Sequence, residues 1–205
     1  MARSRLHELS EHGVSAWVDS LSREMLETGH LARLMEEDAI VGVTSNPTIF
    51  EKALSTGDWY DDQLRAELER SDDTKEVFFA LAVEDIKRAC DLMRPVWDRT
   101  DGIDGFVSIE VDPDLAYERD ATFDQAKVLH ELVDRANVYV KIPATAPGVG
   151  AIEDSIAAGR PRCPRARRRS SRPRRRVSDR LRLSRGARAR GCTPRRPRRD
   201  AAARR

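Results

Sequence analysis

The chain has 205 residues with a formal net charge of +2, 40% apolar and 35% charged, which is enough for one domain with a core of its own. No run reaches the roughly 18 apolar residues that a membrane-crossing helix needs, and the opening MARSRLHELSEHG has no apolar segment of the secretory kind. The three cysteines, Cys90, Cys163 and Cys192, are odd in number and lack CxxC or paired-histidine spacing, which argues against a disulfide framework or a structural zinc site and for a cytoplasmic protein.

In chain order, VSAWVDS (14–20) reads as a buried strand, followed by a helical SREMLETGHLARLMEED (22–38). AIVGVTS (39–45) is a second strand, closed by Asn46-Pro47, a turn pair that lets a helix begin. Residues 48–98 carry several helical patterns, with Val77, Leu81, Ile86, Cys90 and Met93 recurring at helical spacing until DGIDG breaks the run. FVSIEVD (106–112) is a third strand, and DATFDQAKVLHELVDRA (120–136) an amphipathic helix with Asp120 as its N-cap. NVYVKIPA (137–144) is a fourth strand, and GVGAIEDSIAAG (148–159) begins another helix.

Strands alternating with helices indicate βα units on a parallel sheet. Four units fit residues 1–159, about half of a (β/α)8 TIM barrel, which takes about 250 residues. A doubly wound sheet is the alternative, weakened because VDSLSRE after the first strand has no glycine-rich fingerprint.

After Gly159 the pattern stops. Residues 160–205 hold 21 Arg, no Lys and two acids, a net +19, so the whole-chain +2 leaves −17 on residues 1–159. A segment so poor in apolar residues cannot offset its chain entropy, and is expected to be a disordered basic tail. A nucleic-acid-binding arm would usually mix Lys with Arg and interleave aromatics. Here both are missing, so nucleic acid is expected to bind non-specifically through the tail, if at all. Arg, Pro, Ala, Gly and Ser without Lys is what a GC-rich coding region yields when read out of frame, and we expect a frameshift origin for 160–205.

Polar residues stand at the C-terminal ends of all four expected strands: Asp19, Asn46 with Thr44 and Ser45, Glu110 with Asp112, and Lys141 with Thr145. In a barrel these ends form the catalytic rim. An amine among carboxylates suits carbonyl chemistry through a Schiff base. Lys141 lies between Val140 and Ile142, and desolvation there would favour the uncharged, nucleophilic amine. It could equally lie at an edge or the bottom of the sheet, paired with an acid. Glu110 would handle the water of Schiff-base formation, or form a salt bridge to Lys141 that would raise the lysine pKa and oppose catalysis. Asp19 would take a substrate hydroxyl proton, or cap a helix near Ser22. Asn46 would bind substrate hydroxyls, or serve only the pre-proline turn.

The strings GVTSNPTIFEKAL, VSIEVDPDLAYERDAT and VKIPATAPGVGAI resemble transaldolase of the actinobacterial type, as do SAWVDSLSRE and DIKRACDLMRPVWDRTDGIDGFVSIEVDP upstream. The likeness covers about residues 5–159 in order and spacing. It implies an α/β barrel that transfers a dihydroxyacetone unit from sedoheptulose 7-phosphate to glyceraldehyde 3-phosphate in the pentose phosphate pathway, with sugar-phosphate substrates and neither metal nor organic cofactor. It implies Lys141 as the Schiff-base lysine, Glu110 as the acid of the water relay, and Asp19 as acid/base in carbon–carbon cleavage. Asn46 and Thr44 would contact substrate, and Thr145 would line the pocket. The family pattern continues with an N-V-T strand and a later strand whose serine and arginine bind phosphate. Nothing in 160–205 matches either, so this chain is expected to be a half-barrel with open sheet edges, poorly folded and without turnover. Two competing readings remain: a nucleic-acid-associated protein reusing a half-barrel, and a different Schiff-base aldolase. Oligomeric state and acceptor preference are not legible.

Overall fold

The computed structural model describes residues 4–158. At their centre is a four-stranded parallel sheet of β1 (Ala16–Val18), β2 (Ile40–Val43), β3 (Phe106–Glu110) and β4 (Val138–Lys141), in that spatial order. Spatial order follows chain order, so the sheet winds one way, without the reversal that defines a doubly wound fold. This is the arrangement of consecutive units in a (β/α)8 barrel.

Helix α1 (Arg5–Glu11) precedes the sheet. Helices α2 (Arg23–Glu27) and α3 (His30–Glu37) join β1 to β2, and α4 (Pro47–Leu54), α5 (Asp61–Leu68) and α6 (Thr74–Arg99) join β2 to β3. A 3-10 turn (Pro113–Leu115) and α7 (Arg119–Val133) lead to β4, and α8 (Ala146–Ala157) follows it. No described helix is long and apolar enough to cross a membrane.

The pleat sorts the sheet's side chains into two sets, because successive residues point to opposite faces. Val41, Val43, Val107, Ile109 and Val138 are buried in one core with Leu31, Ile86, Met93, Leu129 and Val133 from the helices. The α6 positions expected from helical spacing, Val77, Leu81, Ile86, Cys90 and Met93, are all buried. The alternate positions Trp17, Gly42, Phe106, Ser108, Glu110, Tyr139 and Lys141 share the other face. There Trp17 lies on Gly42, where a Cβ would come within 2.3 Å of the indole, and the Phe106 and Tyr139 rings stack with centroids 3.9 Å apart.

Local structure departs from the sequence expectations at three places. The helix expected over 22–38 is two helices, because Gly29 adopts a left-handed φ of 68° between them. Asp120 is not an N-cap: α7 begins at Arg119 behind Glu118, which makes no side-chain cap bond. Asp120 lies instead in the first turn, where its charge complements the helix dipole. That helix also ends earlier than expected, at Val133, with Asp134 left-handed at φ 47°. Helix α1 was not anticipated, since its short, largely polar sequence shows no clear apolar face. The expected basic tail, 160–205, lies outside the described residues.

Candidate active site

In the β3–β4 register Glu110 faces Lys141 directly. Both side chains leave the same face of adjacent strands, so they meet: Lys141 Nζ lies 3.2 Å from Glu110 Oε2. The ladder continues past them through the Val111 N–H, which donates to the Lys141 carbonyl at 3.1 Å. The lysine's neighbours on the chain, Val140 and Ile142, pack against the core, as the apolar flanks suggested. Lys141 itself is only half-buried. Its side chain is 36% exposed, because it points away from the helix-covered face, on a strand that is an edge among the described residues. The ion pair is the alternative the sequence left open for both residues: Lys141 stands on an edge strand among the described residues, paired with an acid, and Glu110 bridges to it.

Asn46 closes β2 and caps α4: its Oδ1 accepts from the Ile49 N–H at 2.9 Å, with Pro47 in the first helical turn. The cap occupies the amide oxygen and leaves the NH2 group as a donor. Asp19 is exposed, one residue past β1. It does not cap the next helix, because Ser22 Oγ accepts from the Met25 N–H at 3.2 Å and fills that role. Asp19, Asn46 and Glu110 line one open cleft of about 490 Å³, with Pro47, Thr48, Ile49, Lys52 and Pro113. Asn46, Pro47 and Glu110 also border an apolar recess formed with Phe50, Phe78, Phe79, Ala82 and Ile109.

Two expected substrate contacts are otherwise engaged. The Thr44 hydroxyl accepts from Ser108 Oγ at 3.0 Å, beside the bond from Ser45 Oγ to the Ser108 carbonyl at 2.6 Å. Thr145 caps α8, accepting from the Gly148 N–H at 3.1 Å, and its hydroxyl donates to the Ala116 carbonyl. Neither threonine lines the cleft.

Sequence reasoning passed over Lys52, which follows Thr48 by one helical turn and reaches the same cleft. It also passed over Ser108 and Tyr139, each two residues before a site residue and so on the same face of its strand. Strand periodicity, counted back from Glu110 and Lys141, would have found Ser108 and Tyr139, whereas Lys52 stands six residues from Asn46, off its helical face.

The sequence model of the family described as "Transaldolase/Fructose-6-phosphate aldolase" matches residues 16–162. Among curated proteins, the chain is 51% identical over 154 residues to "Transaldolase" of Acidothermus cellulolyticus, covering 75% of this chain and 41% of that protein. It is 48% identical over 154 residues to "Transaldolase" of Frankia alni (75% and 42%), and 48% over 156 residues to that of Thermobifida fusca (76% and 42%). The chain thus spans about two fifths of the length of these relatives.

Proposed function

The chain belongs to the transaldolase/fructose-6-phosphate aldolase family, and from that premise we propose that its rim performs the Schiff-base half of transaldolase chemistry. The observation that carries the proposal is the convergence of Asp19, Asn46 and Glu110 on one cleft, with Lys141 facing Glu110 across the β3–β4 register.

The mechanism follows from that geometry. Glu110 accepts a proton from the Lys141 ammonium, and the free amine adds to the carbonyl carbon of a ketose phosphate to give a carbinolamine. Glu110 returns the proton to the departing hydroxyl, water leaves, and a protonated imine remains. That cation is an electron sink two bonds from the carbon–carbon bond to be broken. When Asp19 removes the proton of the neighbouring hydroxyl, the bond electrons flow into the imine, and an aldehyde departs. The three-carbon enamine left on Lys141 then adds to an acceptor aldehyde by the reverse steps. The NH2 group of Asn46 donates to a substrate hydroxyl throughout.

Sedoheptulose 7-phosphate as donor and glyceraldehyde 3-phosphate as acceptor place the protein in the pentose phosphate pathway, in the cytoplasm. The support is that the curated relatives above carry the transaldolase name. For the chain as it stands we propose adduct formation without turnover. Four strands supply the amine and its proton carriers, while β1 and β4 are unpaired edges among the described residues. We attribute residues 160–205 to a shifted reading frame. The coding sequence beyond codon 159 checks this, since another frame there should encode a strand with an N-V-T motif.

Incubating the full chain with sedoheptulose 7-phosphate and sodium borohydride tests the proposal. Hydride reduces the imine to a stable secondary amine, and peptide mass mapping should find it on Lys141. An adduct confined to other lysines, or none at all, would sink the assignment.

A further inference from the structure

The segment that follows Glu110 is held from outside the sheet by a residue with no place in the mechanism above. Lys75, in the first turn of α6, reaches Asp112 Oδ2 and Asp114 Oδ2, each at 2.6 Å. The Asp112 side chain is only 10% exposed. Its Oδ1 accepts from the Asp114 N–H at 2.9 Å, and its backbone N–H donates to Gln125 Oε1 at 2.6 Å. Between Asp112 and Glu110 stands Val111, fully buried, whose N–H holds the Lys141 carbonyl at 3.1 Å. On the other side Pro113 forms part of the cleft wall.

Lys75 is set firmly at its own end. Asp73 caps α6, accepting from the Lys75 N–H at 2.7 Å and the Glu76 N–H at 3.4 Å, and α6 packs into the core along its length. The two aspartates hold the Lys75 ammonium well above its ordinary range through their hydrogen bonds. Burial alone would raise the Asp112 carboxyl. The Lys75 and Asp114 hydrogen bonds outweigh it, and the carboxyl titrates below its ordinary range. An ordinary surface ion pair does little, because water replaces either partner cheaply. Here one partner is nearly buried with both oxygens engaged, so deleting the cation leaves a carboxylate that must move towards solvent. Asp112 adjoins Pro113 and lies two residues from Glu110, so a displaced carboxylate pulls on both through Val111 and the chain.

We propose that Lys75 is a positioning residue for the Lys141–Glu110 pair, acting through Asp112; its catalytic meaning rests on the Schiff-base reading above. The clamp keeps the end of β3 in register with β4, so that the carboxylate stays within proton-transfer reach of the amine.

A test of geometry needs no turnover. Carbodiimide activates Glu110 so that its carboxyl and the Lys141 amine join as an amide, the lost water being taken up by the reagent as a urea. Peptide mapping then reads the yield. In the full chain, Lys75→Met should cut the Glu110–Lys141 cross-link by about threefold or more. Lys75→Arg should keep it near the wild-type level, with both variants matching the wild type in circular dichroism. The exposed position of Lys75 makes both substitutions compatible with folding. An unchanged yield in Lys75→Met overturns the inference.

Borohydride trapping with sedoheptulose 7-phosphate gives the catalytic arm. Lys75→Met should slow adduct formation about fivefold when Glu110 is present, and add nothing in a Glu110→Gln background. Equal slowing in both backgrounds also overturns it, since the effect would then bypass Glu110. A wild-type chain that forms no Lys141 adduct rejects the Schiff-base reading instead, and leaves the positioning of Glu110 to the cross-link result.

Discussion

Asn46 uses its amide oxygen on the Ile49 N–H and keeps its NH2 group for the cleft, so one substitution can separate its two duties. Asn46→Ala removes both, costing about 1 kcal/mol of cap stability as well as the donor we propose for substrate. Asn46→Ser retains the cap and deletes only the amide donor. It should melt within a degree or two of the wild type while binding sedoheptulose 7-phosphate about tenfold more weakly, as calorimetry would read. Wild-type affinity in both variants would reduce Asn46 to a cap. Asp19, relieved of capping by Ser22, is expected to act after imine formation. In a chain whose residues 160–205 are replaced by the corresponding remainder of a full-length relative, Asp19→Asn should still be trapped by borohydride at Lys141. Release of the four-carbon aldehyde should fall by about a hundredfold or more. Loss of trapping in Asp19→Asn would place the aspartate earlier in the reaction. Lys141 and Glu110 were legible because each is a charged residue inside an apolar strand. What flanking residues could not reveal is that they face each other, which depends on the register of two strands far apart in the chain.

Single residues also set the elements' ends. Gly105 enters β3 with φ 82°, and a Cβ there would fall 2.4 Å from the Trp97 backbone nitrogen. Gly105→Ala therefore meets both a strained backbone and a clash with main chain, and should destabilise by more than about 1 kcal/mol in chemical denaturation. Sequence punctuation located that break correctly. It misjudged the helix break at Gly29 and the start of α7, where cap geometry depends on how the chain leaves the preceding loop. Arg135, just past the end of α7, ties that end to the body of α6, donating to both oxygens of Asp91 at 2.6 and 3.0 Å. The Arg135 hydrogen bond holds the Asp91 carboxyl below its ordinary range. A carboxyl lowered in the folded state contributes stability above its unfolded value, near 3.9, and loses it as pH falls through the folded value. The melting temperature of wild type should thus exceed that of Asp91→Asn slightly at about pH 7, and the gap should close as pH falls below the ordinary carboxylate range. A gap that is independent of pH would assign the effect to packing.

Across the whole molecule, a buried polar network ties three helices together behind the sheet. Arg23 Nε donates to Asp85 Oδ1 at 2.5 Å, Arg23 Nη2 to Gln63 Oε1 at 2.6 Å, and the Tyr60 hydroxyl to Asp85 Oδ2 at 2.7 Å. The Arg23 backbone N–H in turn donates to Tyr60 Oη at 2.8 Å. Asp85 is completely buried, and burial pushes its carboxyl above the ordinary range despite these bonds. Arg23→Met strands that carboxyl and should cost about 3–5 kcal/mol, measured by denaturant unfolding. A loss below 1 kcal/mol would mean that water replaces the guanidinium. None of this network was visible in the sequence, where Arg23 and Asp85 read as ordinary charges on helical stretches. The sequence by itself determined the succession of βα units, the polar residues at their strand ends and a lysine with apolar neighbours in the fourth strand. Those follow from local periodicity and from residue types that a short window reveals. Only the tertiary structure decided that Lys141 is ion-paired to Glu110, that Asp19 shares a cleft with Asn46 and Glu110, and that Lys75 pairs with Asp112 and Asp114. Such contacts join residues distant in the chain, and they exist only once the helices have packed and the strands have taken their register.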